Sequence, residues 1–444
     1  MTVSPPPRPG GSWLASQGRL PLAFMGLGLA WFAAAVLATA WAPQQLITPH
    51  IAPSVIALTH AWVLGFFVTI AVGAIYQLAP VALSTTLWSE RGGWWHFALH
   101  AAAVPVMVYA FWHWNLPLLG AAGSFVVAGV LLFAGNTLVT IVRSGKRDAV
   151  AWSLILATLW LVLTVTAGLA LVANRLWHLW PTDPLPLLRA HAHLGLAGFF
   201  LTLLQGVTFR LVPMFTLGDV PHWRPVRIGL WLSQLGLLGL APALAWHVGY
   251  ASAVFGMAIV AGLVFSGIAL RQTFATRKKR HLDVGLQALV RGMIGLGLAS
   301  VAGIWLVWPT TAAGSAPGGF SANVYGVLVL LGGLLPAIAG MMNKIVPFLT
   351  WMRAYGPKVG RMPTPPASAL ANSRLEAWGL GLQGLALLPL LVGTWLVEPL
   401  WLRLGTLLLA LGTALFLANQ LLVLKHLFRP QPPTPAKPKS PPKP

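Results

Sequence analysis

Residues 189–215 read RAHAHLGLAGFFLTLLQGVTFRLVPMF, from Arg189 to Phe215. The stretch is apolar and long enough to cross a bilayer, for which about 20 residues suffice. It opens on two histidines separated by one alanine, His191 and His193. Its skeleton also recurs. His193, Gly198, Gly206 and Pro213 match His60, Gly65, Gly73 and Pro80 in spacing, and match again Val327, Gly332, Gly340 and Pro347. The third copy keeps the glycines and the proline but has valine in place of histidine.

Composition extends this reading to the whole chain. Of 444 residues, 57% are hydrophobic and 8% charged, where a soluble domain carries about 25% charged residues. Most of the chain therefore cannot face water. Apolar runs near 20 residues recur along its length, which predicts an all-α polytopic membrane protein. A transmembrane barrel would show short alternating segments instead. Twelve spans are expected: roughly 20–41, 54–83, 94–113, 118–142, 150–174, 187–216, 226–246, 249–275, 285–308, 320–350, 375–396 and 400–428. Residues 1–19 (PPPRPGGS within them) read as a disordered cytoplasmic arm. Residues 429–444, rich in Pro and Lys, read as a disordered cytoplasmic tail. No cleavable signal is expected, because the first apolar run, Leu20 to Trp41, is too long for one.

Charge orients the chain. Its net charge is +21, but the basic residues lie in short connections after even-numbered spans, such as Arg143, Lys146 and Arg147, or Arg277 to Arg280. That distribution is topological information and no sign of nucleic-acid binding. It puts both termini in the cytoplasm of a bacterial-type inner membrane. The bilayer is the expected partner.

The repeat extends beyond spans 2, 6 and 10. Spans 4, 8 and 12 also look related, with Phe133, Phe265 and Phe416 in register. Three like-oriented four-helix arcs follow, about 20–147, 150–280 and 285–428, arranged around an axis along the membrane normal. Inverted-repeat transporters are built differently.

The chain has no cysteine, which excludes disulfides, iron–sulfur clusters and thioether-linked haem. A metal must rest on other donors. Histidines inside a bilayer are costly and need a partner, so His60 and His193, at one depth in two repeats, are the leading cofactor ligands. Imidazole is the standard axial ligand of b-type haem. The competing role is hydrogen-bonding glue between helices. His191 and His193 point about 200° apart on a regular helix, so they address two neighbouring sites or one site and one outward partner. His96 and His100 share a helix face. Of these, His96 is expected at the aromatic interface, and His100 is a weaker metal candidate. His113, with His50, His178 and His247, lies near an outer span end, where one of them could complete a metal site. His222, His281 and His426 fall on the inner side. Gln77, Arg210 and Lys344 share a repeat position, and the two cations are expected to snorkel. Asn323 and Tyr325 stand where the third copy lacks its histidine, and Tyr76 reads as core. The conserved-spacing glycines read as packing positions. No carboxylate falls in the middle of any span, which weakens a proton-coupled transporter.

Twelve spans in three arcs, with His60 near the outer end of span 2 and a later arc also carrying histidine, resemble the catalytic subunit of haem–copper oxidases and nitric oxide reductases. The segment LTHAWVLGFFVTIAVGAIYQLAP also resembles the H-x-x-x-x-G-F segment of NnrS-type membrane proteins, which contain haem and copper and are linked to nitric oxide stress. The resemblance implies haem b, with copper as a further possibility, and His60 as a low-spin haem ligand. It also implies electron transfer, or the binding or reduction of NO or O2, with an electron-donor protein or respiratory subunit as partner. Two departures stand out. The oxidases carry H-x-H in helix ten, whereas here it is His191-Ala192-His193 in span 6, and the copper-binding histidine pair of helix seven is missing. A non-haem permease or channel with structural histidines, or a scaffold subunit of a respiratory complex, remains the alternative.

Overall fold

The computed structural model describes residues 18–181, 183–308 and 321–430. Nearly all of the expected N-terminal arm and C-terminal tail, and the start of the tenth predicted span, lie outside the described residues. Twelve helices are long and apolar enough to cross a membrane. They are α1 Arg19–Trp41, α2 Pro53–Ala82, α3 Glu90–Trp112, α4 Leu116–Ser144, α5 Ala149–Trp177, α6 Pro184–Thr216, α7 Trp223–Ala245, α8 Gly249–Ala275, α9 Val284–Val307, α10 Ala322–Ala354, α11 Ser373–Leu396 and α12 Pro399–Leu427. The protein is an all-α polytopic membrane protein.

Three helices form its centre. The apolar stretches of α2, α6 and α10 are 72%, 78% and 67% buried, against at most 50% in any other span. These are the three helices of the repeated skeleton. Each packs on the helix before it (α1, α5, α9) and on the helix after it (α3, α7, α11). The following pairs, α3–α4, α7–α8 and α11–α12, are tight hairpins. α4 then passes to α5, α8 to α9, and α12 closes back on α1. The result is a closed ring of three four-helix units around a pseudo-threefold axis.

The skeleton residues explain the packing. A Cβ at Gly65 would lie 2.5 Å from the Trp31 ring, and one at Gly198 would lie 2.9 Å from Trp160. These glycines let each inner helix press against its predecessor's indole, which is the packing role expected of them. Each inner helix also changes pitch at one place. Ala61–Val68, Leu194–Leu201 and Leu328–Leu334 are π-helical, beginning one residue after His60, His193 and Val327. The wider turn leaves carbonyls without their usual partners, and side chains take them up. Thr69 donates to Leu64 O at 2.9 Å, and Thr202 donates to Ala197 O at 3.4 Å.

The likeness of α4, α8 and α12 has a local cause. Each uses an amide side chain to hold the start of a hairpin partner. Asn136 Oδ1 accepts from Ser89 N at 3.0 Å, Gln272 Oε1 from His222 N at 2.9 Å, and Asn419 Oδ1 from Asn372 N at 2.7 Å. The twelve helices place all even-to-odd connections, rich in Arg and Lys, on one face. We call this the basic face, and the opposite one the histidine face.

Candidate functional site

Near the histidine face the three inner helices meet in pairs, and each pair meets through equivalent repeat positions. The first member comes from the position of His60, His193 and Val327. The second lies two residues earlier in the next repeat, at His191, Tyr325 and Leu58. The three interfaces therefore read His60–His191, His193–Tyr325 and Val327–Leu58.

The α2–α6 interface holds a cavity of about 310 Å³. The His60 and His191 rings lie across it with centroids 6.5 Å apart and planes 15° from parallel. Each ring is fixed by a backbone carbonyl. His60 Nδ1 lies 2.8 Å from Ile56 O, and His191 Nδ1 lies 3.0 Å from Thr164 O. A carbonyl only accepts, so Nδ1 carries the proton in both rings and Nε2 keeps its lone pair. A metal-ligating histidine adopts this tautomer, and this type of second partner sets it. Phe111 of α3 stacks on His60 at 4.4 Å. Gly168 of α5 makes room for His191, since a Cβ there would sit 2.9 Å from Cε1 of the ring. Arg175 and Asp183 also line the cavity, beside the connection from α5 to α6.

The α6–α10 interface holds a smaller cavity, about 60 Å³. His193 Nδ1 lies 2.8 Å from Arg189 O, which again fixes the Nδ1–H tautomer. Its Nε2 is the acceptor for Tyr325 OH at 3.1 Å, and the two rings stack at 5.8 Å. The third interface is apolar between Leu58 and Val327. Asn323 staples its outer end, donating to Leu46 O at 2.9 Å and Thr48 O at 2.7 Å.

The H-x-H pair thus serves two compartments, as the 200° separation of its side chains requires. The partner of His60 is His191, not His193. The expectation that His60 and His193 face each other fails because the π-helical turn starts after His193, and the preceding α-helical turn swings the two histidines to opposite sides of α6.

His96 and His100 differ from expectation more sharply. They are 1% and 2% exposed. Because α3 begins at Glu90, His96 lies inside the bundle, and Trp94 and Trp95 take the exposed positions, at 41% and 68%. His96 Nδ1 is 3.1 Å from Tyr76 OH, while its Nε2 has no partner. His100 Nε2 is 2.7 Å from Thr69 Oγ1. Since Thr69 spends its own proton on Leu64 O, His100 donates. These side chains brace α3 on α2, and Tyr76 is part of that polar brace as well as of the core.

The other histidines lie apart. His113 is exposed, stacks on Tyr109 at 4.4 Å and does not reach the His60 cavity, where Phe111 stands instead. His178 and His247 take left-handed backbone at helix ends (φ 51° and 58°) and are exposed. His222 and His281 are exposed, and His426 Nδ1 is 2.8 Å from Tyr355 OH. His50 is half-buried beside the third interface. Burial, and then the Arg189 guanidinium, hold its pKa below the ordinary imidazole value.

Among the described residues no three His, Asp or Glu side chains gather where they could hold a metal ion. A bare copper or zinc ion asks for more protein donors than either histidine compartment supplies. Two opposed imidazoles suit an iron whose remaining ligands belong to a porphyrin. The separation agrees. Two imidazoles binding one ion from opposite sides at ~2.0–2.1 Å have ring centroids roughly 6.5 Å apart.

The sequence drew attention to His60, His191 and His193 but not to Gly168, Thr164 or Phe111, which lie on other spans and carry no chemistry of their own. Tyr325 was legible, since it precedes Val327 by the interval separating His191 from His193. No protein-family model matches the chain, and no curated protein sequence matches it. Fold and side chains define a class without a family: a polytopic membrane protein of three like-oriented four-helix units, with a two-histidine compartment between its first two inner helices.

Proposed function

We propose that the protein is a b-type haem protein of a bacterial-type inner membrane, with His60 and His191 as the axial ligands. The observation that carries this reading is the His60–His191 pair itself. Its rings are 6.5 Å apart across a cavity of about 310 Å³, and each Nδ1 is tied to a carbonyl. Haem bound between two imidazoles supplies one-electron transfer. This chain's part is to hold both lone pairs on the cavity, to keep the ring planes fixed through Ile56 O and Thr164 O, and to exclude water with Phe111, Leu64 and Val126. Arg175 at the rim is placed to meet a carboxylate. An electron-donor protein or respiratory subunit is the partner this role needs.

Binding or reduction of a diatomic gas requires a position that the protein leaves open, which two histidines on one iron do not provide. Electron transfer is therefore the preferred task at this site. The basic face is assigned to the cytoplasm, with both termini, from its Lys and Arg excess.

An optical spectrum tests the reading. Protein purified from haem-replete cells should show reduced Soret and alpha bands, lost in His60→Ala and in His191→Ala but retained in His193→Ala. Adding carbon monoxide to the reduced protein should leave the bands unmoved. Colourless protein, or bands that depend on His193 and not on His191, would overturn the assignment.

A further inference from the structure

The basic-face half of the pseudo-threefold axis is hollow. A cavity of about 570 Å³ lies between α2, α6 and α10. All three repeats build it in the same register. Ala74, Val207 and Met341 form one layer of its wall, and Gln77, Arg210 and Lys344 form the next, one helical turn nearer the basic face. Val81, Met214 and Phe348, each following the skeleton proline, form the last layer.

Two features of these layers do not suit a water-filled vestibule. The last layer is apolar yet exposed, at 54%, 52% and 43%. A contiguous apolar surface around a concave opening marks a binding site for something apolar. The middle layer carries charge that the protein does not fully neutralise. Lys344 pairs with Asp283 at 2.7 Å. Arg210 has no hydrogen bond or ion pair among the described residues. Lys279 lines the same space, so three cations face two carboxylates, Asp283 and Glu376.

An apolar chamber with an uncommitted guanidinium one turn inside its mouth matches one ligand chemistry: an apolar chain carrying an anionic head. We infer that the axial cavity binds an anionic phospholipid, with its acyl chains against the Ala74, Val207 and Met341 layer and its phosphate on Arg210. Guanidinium is suited to phosphate because it offers several donors in one plane. Basic pockets between membrane helices on the cytoplasmic side are a known mode of anionic-lipid recognition. The site is separate from the histidine compartments, which open toward the other face, and the inference does not depend on haem.

Purified full-length protein provides the test. Thermal unfolding is followed while dioctanoyl phosphatidylglycerol, dioctanoyl phosphatidylcholine or inorganic phosphate is titrated in. Phosphatidylglycerol should raise Tm saturably, with phosphatidylcholine at least tenfold weaker and inorganic phosphate without effect. Arg210→Gln installs the residue that the first repeat carries at Gln77. It should weaken the phosphatidylglycerol response by about tenfold, the loss expected for one charge-assisted contact. Val207→Phe, which narrows the chamber and keeps the charge, should weaken it too. Native mass spectrometry of the unsubstituted protein keeps the test open if a variant fails to fold, and should show phosphatidylglycerol retained over phosphatidylcholine. Equal responses to the two lipids, an undiminished response in Arg210→Gln, or stabilisation by phosphate alone would overturn the proposal.

Discussion

Gly168 offers the sharpest perturbation of the histidine compartment, because it touches a ligand without being one. A Cβ there would lie 2.9 Å from His191 Cε1 and 3.4 Å from its Nδ1. Ordinary contact begins near 3.5 Å between carbon atoms, so Gly168→Ala forces the ring to move by about half an ångström. The ring has little freedom to do so. Its Nδ1–H bond to Thr164 O, at 3.0 Å, holds it on the α5 side, where the new methyl would arrive. Moving away stretches that bond, worth about 0.5–1.5 kcal/mol, and overpacking adds about 1–3 kcal/mol. Gly168→Ala should therefore cost about 2–3 kcal/mol, against the ~1 kcal/mol gain of Gly→Ala in an open helix position. Gly135 in α4 has nothing within 4 Å of its Cβ position and supplies that control. Thermal unfolding of the two variants should shift in opposite directions. Absorbance per protein should fall in Gly168→Ala and hold in Gly135→Ala. If Gly168→Ala matches the unsubstituted protein in both readouts, the tight seating of His191 described here is wrong.

Other perturbations test separate parts of the structure. Tyr325→Phe removes the donor to His193 Nε2 and should lower stability by about 1 kcal/mol, read as a reduced Tm, while leaving any His60- and His191-dependent absorbance intact. Asp283→Asn and Lys344→Met, made singly and together, should show a coupling below about 1 kcal/mol in a double-mutant cycle, because their side chains are 37% and 23% exposed. His50 should make stability pH-dependent. Its folded pKa lies below the unfolded 6.5, so its contribution is complete above pH 6.5 and is lost as pH falls through the folded value. Tm of His50→Gln should decline less between pH 7 and pH 5 than that of the unsubstituted protein.

The fold was legible because the bilayer leaves few solutions. Apolar length located the twelve helices, and the glycine–proline skeleton located the three that are most buried. What the sequence could not show is which side chains meet across helices. His191 looked like the outward member of H-x-H until the π-helical turn and Gly168 placed it against His60. His96 looked interfacial because Trp94 and Trp95 precede it, yet helix phase sends the indoles outward and the imidazole inward. The axial cavity escaped notice for a different reason. Arg210 and Lys344 read as snorkelling cations near span ends, and only the assembled bundle shows that they face a common space.

The π-helical turns have a consequence for how such a protein can change. Each turn joins two stretches of one inner helix and sets their angular phase, since removing one residue from a helix rotates everything beyond it by about 100°. The inner stretch is locked by its glycines against a neighbour, whereas the outer stretch carries the histidines. A one-residue deletion within Leu194–Leu201 would leave the inner half seated and redirect both His191 and His193 to new neighbours. The turn acts as a coupling that lets the outer half be re-aimed without re-docking the bundle. The differing residue pairs at the three interfaces are what such a scaffold would accumulate after its units were copied.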